Sequence, residues 1–122
     1  MGKLSLIKGK CAEDLAAALL VKKGYKILAK NWNSKWGELD LIAIKGRMNV
    51  LFIEVKYRKN AKFGYPVEFI SLNKLQKLET TIRIFLANHT YGGITWRLDG
   101  LCFLQTEKGL RARWYKNLFS DF

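Results

Sequence analysis

Apolar side chains recur at helical spacing at Ala12, Leu15, Ala16, Leu19 and Leu20, which predicts a first helix over 8–23 that stops at Gly24, just past Lys22 and Lys23. The period then changes. Residues 25–32 read as a first strand, ended by the polar turn Asn33-Ser34-Lys35. Residues 37–45 and 50–57 read as two more strands, the second rich in β-branched and aromatic residues. The short turn between them, around Gly46, makes them an antiparallel hairpin. A basic loop over 59–70 leads to Ser71, a good N-cap for a second helix over 72–88. Its apolar positions are Leu72, Leu75, Leu78, Ile82, Phe85 and Leu86. Beyond Gly92-Gly93, residues 94–104 and 110–116 read as two strands paired through a turn near Lys108-Gly109.

The second strand is apolar on both faces, with Leu39, Leu41 and Ala43 on one and Ile42 and Ile44 on the other. Such a strand is covered on both sides. The expected fold is α/β: a mixed central sheet flanked by helices, in the order α-β-β-β-α-β-β. If strands three and four are parallel, the second helix is their right-handed crossover. The length of 122 residues, one proline and no Gly/Ser-rich linker predict a single domain over 1–122.

Charge adds a partner to this picture. With 22 Lys+Arg against 10 Asp+Glu, the chain carries +12, which predicts a polyanion, nucleic acid above all. A basic face can also meet anionic lipid, but no basic amphipathic helix with an aromatic face stands out, so no membrane partner is expected. There is no signal-type apolar run and no transmembrane-length run, so the expected location is the cytoplasm. Cys11 and Cys102 stand in no ligand spacing and read as small buried hydrophobes in a reducing compartment. His89, the single histidine, sits at a helix end and excludes a histidine-based zinc site or a Ser/His/Asp triad.

The candidate chemistry lies in the middle hairpin. Alternation puts Glu38 and Asp40 on one face of their strand, and Glu54 and Lys56 on one face of the next. Each acid is embedded in an apolar strand, where carboxylates are rare unless paired or metal-bound. Converging carboxylates raise one another's pKa, and a divalent cation removes that penalty. Hard oxygen ligands suit Mg²⁺. The predicted metal ligands are Glu38, Asp40 and Glu54, with Lys56 placed to orient or deprotonate a water or to neutralise developing charge. Glu13, beside the apolar stripe of the first helix, is a candidate further ligand; its plain alternative is a helix-dipole contact. The plain alternative for the whole constellation is a cross-strand salt bridge on a half-exposed hairpin.

These residues carry a resemblance. Gly37-Glu38-Leu39-Asp40-Leu41-Ile42-Ala43 followed by Phe52-Ile53-Glu54-Val55-Lys56-Tyr57-Arg58 resembles the YraN-like family of bacterial proteins. That family in turn resembles the PD-(D/E)xK nuclease superfamily, with its restriction-endonuclease-like fold, and Holliday junction resolvases. Gly9, Glu13-Asp14-Leu15-Ala16, Gly24-Tyr25-Lys26-Ile27-Leu28, Asn31, Phe63-Gly64, Pro66, Lys74 and Arg97-Leu98-Asp99 fit the same pattern. The resemblance implies that Asp40, Glu54 and Lys56 are the catalytic signature, that Glu13 and Glu38 are added acids, and that Mg²⁺ or Mn²⁺ supports endonucleolytic cleavage of DNA, including branched or recombination intermediates. Tyr57 and Ala12 depart from the pattern, which more often has a smaller polar residue and a glycine there.

Around this core, Arg58, Lys59, Lys62 and Tyr65 in the basic loop, and Lys74 and Lys77 on the second helix, are candidates to grip phosphates. Trp36, next to the turn, is the best base-stacking candidate among four tryptophans that otherwise read as packing. The competing function is a non-catalytic nucleic-acid-binding or scaffold module that keeps the fold. A two-fold symmetric junction would want a homodimer, but no dimer surface is legible in the sequence.

Overall fold

The structure, a computed structural model, describes residues 9–89 and 93–121. Helix α1 spans Gly9–Lys22 and leads to strands β1 (Lys26–Ser34), β2 (Gly37–Lys45) and β3 (Asn49–Arg58). Helix α2 (Leu72–Ala87) precedes β4 (Thr95–Thr106) and β5 (Gly109–Tyr115). Short 3₁₀ turns lie at Ala61–Phe63 and Leu118–Asp121, each too brief to leave a periodic pattern in the sequence. Gly92 lies outside the described residues.

The five strands form one mixed sheet in the order β1-β2-β3-β4-β5. All neighbours are antiparallel except β3 and β4, which run parallel from Asn49 opposite Thr95 to Arg58 opposite Leu104. A parallel pair needs a crossover, and α2 supplies it. Its N-terminus forms as expected: the Ser71 hydroxyl accepts from Lys74 N–H at 3.2 Å. The element order and mixed sheet are those of a restriction-endonuclease-like α/β fold.

Each helix buries one face of the sheet. On the α1 face, Ala12, Ala16 and Leu20 pack against Leu41, Leu51, Ile53 and Leu101. On the α2 face, Leu75, Leu78, Ile82 and Phe85 pack against Ile42, Val50, Phe52 and Leu98. Phe85 meets both Trp32 and Phe52 edge-on, at 5.3 and 5.8 Å between ring centroids. Burial of each such side chain contributes about 1.5–3 kcal/mol.

Three expectations are corrected. Leu39 joins the α2-side cluster while Leu41 joins the α1 side, so strict alternation fails between them. Leu72, the first residue of α2, is 49 % exposed, and the buried face of the helix begins at Leu75. Cys11 is exposed on α1, and only Cys102 is buried; both are free thiols.

Two glycines allow close approaches that set the site. At Gly37 a Cβ would lie 2.7 Å from Thr81 Oγ1 of α2, so a side chain there would prise β2 off the helix. At Gly100, opposite Glu54 in the β3–β4 register, a Cβ would lie within 2.7–2.8 Å of three Phe69 ring atoms. Gly100→Ala is expected to lose about 1–3 kcal/mol through this overpacking. Chemical denaturation measures it, and an unchanged midpoint would show that Phe69 moves freely.

Candidate metal and nucleic-acid site

The acids converge where β2 and β3 part. Their pairing ends at Leu41 opposite Ile53. Beyond that rung Asp40 turns its carboxylate into the gap, and Oδ2 accepts from Val55 N–H at 2.8 Å. A side chain thus satisfies a backbone donor that the ladder leaves unpaired.

On one flank Asp40 meets Glu13 and Glu38. These three carboxylates can each present an oxygen with all three oxygens inside 4.8 Å of one another, an arrangement that could hold a metal ion. Glu13 reaches the group from α1. Its carboxyl is raised above the ordinary range by burial, then by Asp40, with an opposing hydrogen bond from Asn31. Asn31 itself has a positive φ of 51°, on an edge strand whose register has already slipped between Ile27 and Ala29.

On the other flank is Glu54. It shares the α2 face with Val50 and Phe52, and its side chain is only 12 % exposed. Burial first, then Asp40 beside it, push its carboxyl up to about 8; Lys74 and Lys56 oppose the rise. A protonated Glu54 donates to Asp40. The Lys74 ammonium stands 4.0 Å from Glu54. Lys56 Nζ donates to the Phe69 carbonyl at 2.5 Å and sits 4.9 Å over the Phe69 ring. Burial, then Arg58, lower the Lys56 pKa, and Glu54 offsets part of this.

The convergence therefore differs from simple alternation. The two sequence-predicted pairs do not lie side by side on one face; they meet across the splayed strand ends, and Asp40 links them. Glu13 is drawn in, and Glu54 is reached from the three-acid group through Asp40. A buried carboxyl pushed up to about 8 beside Asp40, which itself belongs to a three-acid group, is the electrostatic signature of a donor set suited to a cation. Hard oxygen donors fit a divalent ion of the Mg²⁺ type.

The expected phosphate-gripping residues divide. Arg58, Lys59, Lys62, Lys74 and Lys77 are exposed. Tyr65 is half-buried, with Arg113 stacked over its ring at 4.9 Å. Trp36 is 58 % exposed, with the Lys35 ammonium 5.3 Å over its ring. The other tryptophans serve the framework: Trp32 packs on Phe85, Trp96 on Phe52, and Trp114 bonds Asp99. His89 acts at the end of α2, its Nδ1 2.6 Å from the Phe85 carbonyl.

Sequence reasoning missed several participants. Lys59 and Lys62 line a groove of about 920 Å³ together with Lys108 and Arg111 of the β4–β5 hairpin. The parallel register of β3 and β4 brings these segments together, and no local pattern announces it. The Val55 amide and Phe69 carbonyl are backbone groups, which carry no residue signature at all.

No helix among the described residues is long and apolar enough to cross a membrane.

Comparison with known proteins gives a consistent family. The profile of "Uncharacterised protein family UPF0102" matches residues 12–103. A UPF0102 protein of Neisseria gonorrhoeae is 38 % identical over 116 residues, covering 95 % of this chain and 97 % of the relative. One from Fusobacterium nucleatum is 38 % identical over 106 residues, 87 % of this chain and 85 % of its own. One from Caldanaerobacter subterraneus is 39 % identical over 101 residues, 82 % of each. The matched span runs from α1 into β4 and so contains Glu13, Glu38, Asp40, Glu54 and Lys56. The fold, the motif residues and these matches together mean that the chain belongs to the uncharacterised family UPF0102, the YraN-like group.

Proposed function

We propose that this protein is a metal-dependent endonuclease that hydrolyses phosphodiester bonds in DNA, branched or recombination intermediates among the candidate substrates. The observation that carries this reading is Asp40. It is shared between a three-acid group able to hold a cation and a mostly buried Glu54, its carboxyl pushed up to about 8, with Lys56 on the same strand face. A purely binding surface of a +12 protein gains nothing from such a cluster.

Glu13, Glu38, Asp40 and Glu54 would hold Mg²⁺ or Mn²⁺. Bound there, the ion supplies Lewis-acid polarisation of a phosphate and lowers the pKa of a coordinated water. The protein's own groups do the rest. Asp40 is fixed by the Val55 amide, so its geometry precedes binding. Glu54 would have to be deprotonated to serve as a ligand. Lys56, its pKa lowered, orients a water or accepts its proton beside Glu54. Lys74 neutralises charge on Glu54's flank, and Arg58, Lys59, Lys62 and Lys77 position phosphates away from the cut. Trp36 offers a ring beside Lys35, and Tyr65 one beside Arg113.

The test is cleavage of single-stranded, duplex, flap and four-way-junction DNA, and of RNA, with Mg²⁺ or Mn²⁺. Wild type should cut at least one DNA substrate. Asp40→Ala and Lys56→Ala should each reduce the rate by roughly 10²–10³-fold or more. Activity that survives both substitutions overturns the site. Binding with no cleavage of any substrate favours a non-catalytic module instead.

A further inference from the structure

The Arg97-Leu98-Asp99 motif lies on β4 opposite Leu51, Phe52 and Ile53 of β3, and has no part in the acidic cluster. Asp99 is fully buried at 0 % exposure and its carboxylate is fully engaged. It takes Arg97 Nε and one terminal nitrogen at 2.8 Å each, the Trp114 indole N–H at 2.7 Å and the Asn117 amide at 2.8 Å. One carboxylate therefore fixes two side chains and the chain reversal after β5. What these groups face is a cleft. Two adjoining cavities of about 400 and 310 Å³ share Tyr25, Lys45 and Arg97 as walls.

The charge of that cleft is one-sided. Lys23, Lys45, Arg97 and Lys116 line it, and no acid among the described residues does. Aromatic faces steady the ammonium groups: Lys23 lies 5.6 Å over the Trp114 ring and Lys45 5.2 Å over Tyr25. Asp99 balances one of the four cations from behind and leaves the excess facing solvent. Arg97 keeps 42 % of its side chain exposed and retains donors that Asp99 does not use. Four cations held together repel, so a bound anion gains both attraction and relief of that repulsion.

We propose that this cleft is a second phosphate-binding site, preorganised by Asp99, that takes the backbone of a nucleic-acid strand remote from the acidic cluster. Asn49, Val50 and Leu51 line the cleft and Glu54 lies three to five residues further along β3, which separates the two sites by about 10–17 Å at ~3.3 Å per residue. They cannot grip the same phosphate. A strand or branch held at both sites spans the distance between them, so the cleft fixes where the substrate arm leaves the protein. The identity of the polyanion rests on the proposed function; the anion site itself does not.

The test uses the full chain in EDTA and a fluorescent oligothymidylate, with anisotropy read over a range of salt. Lys45→Ala/Lys116→Ala removes two exposed cleft cations. Lys22→Ala/Lys30→Ala removes two cations from outside the cleft. The first variant should bind at least tenfold more weakly at low salt, and its slope of log affinity against log salt should fall by about 1.4, from roughly 0.7 per lost single-strand phosphate contact. The control should keep most of the slope, and the Trp114 indole N–H resonance should shift when the oligonucleotide is added to wild type. Equal slopes in the two variants, or an unmoved Trp114 signal, overturn the cleft. Hexaglutamate binding as tightly as the oligonucleotide overturns its assignment to nucleic acid. Full binding without any metal-supported cleavage sinks the nuclease reading and leaves the cleft standing; cleavage with an unchanged slope does the reverse.

Discussion

Exchanging Glu54 for glutamine is expected to silence cleavage, by roughly 10²-fold or more, while making the metal-free protein more stable at pH 8. The opposite signs have one cause. Glu54 is held where its charge is unwelcome: burial and Asp40 raise its carboxyl from an ordinary 4.5 to about 8. Between those values the folded state keeps a proton that the unfolded chain has released. The stability tied to that proton is complete below about pH 4.5 and is lost as pH rises through about 8. Each pH unit of that interval corresponds to about 1.4 kcal/mol, so the whole window is on the order of a few kcal/mol. Glutamine is neutral throughout, and the variant should lose this part of the pH slope. Mg²⁺ works the other way. It binds the deprotonated cluster, so the stabilisation it gives wild type should grow from pH 5.5 to 8, values chosen to bracket most of the titration at ~1.4 kcal/mol per pH unit. Urea unfolding of both proteins, with EDTA and with Mg²⁺, measures these slopes. Identical slopes for wild type and Glu54→Gln in EDTA would falsify this account of Glu54.

Asp99→Ala is expected to destabilise the fold by about 3–5 kcal/mol, which is the usual result of removing one partner from a buried charge network. The loss is spread over several groups. The Trp114 indole and the Asn117 amide lose their acceptor, and donors left unsatisfied in the interior cost about 1–3 kcal/mol each. Arg97 is 42 % exposed and can turn toward water, so it contributes the smaller share. For a chain of this size the melting temperature should fall by roughly 10 °C or more. Replacing both partners, as Arg97→Met/Asp99→Leu, should recover only the smaller Arg97 share, because the Trp114 indole and the Asn117 amide still lack an acceptor. It should not recover oligonucleotide binding at the cleft. Thermal unfolding of the single and double variants decides the point: a single variant within about 1 kcal/mol of wild type, as expected of ordinary surface changes, would show that Asp99 is replaceable.

Fold and site differ in how much of each is legible in the chain. The strand over 37–45 is readable at both ends because Gly37 and Gly46 bracket a run that is apolar apart from Glu38, Asp40 and Lys45. The helix after Ser71 is readable because a cap and a 3.6-residue period agree. Leu39 defeats the same logic. Period two assigns it to the face of Leu41, whereas β2 turns at Asp40 once its hydrogen-bonded partner ends, and Leu39 packs on the α2 side with Trp32 in the neighbouring strand.

By itself the sequence determined the element order, the basic balance of the whole molecule, and which few acids sit where acids are costly. Those are properties of local periodicity and composition. Only the tertiary structure decided how the acids meet. The splayed strands put Asp40 between Glu13 and Glu54, the parallel β3–β4 register brought Lys108 and Arg111 beside Lys59, and Gly100, opposite Glu54, let Phe69 close over β4. Each of these is a contact between residues far apart along the chain. Its geometry is set by where two strands stop pairing or how closely two segments approach, and no local pattern of side chains encodes that.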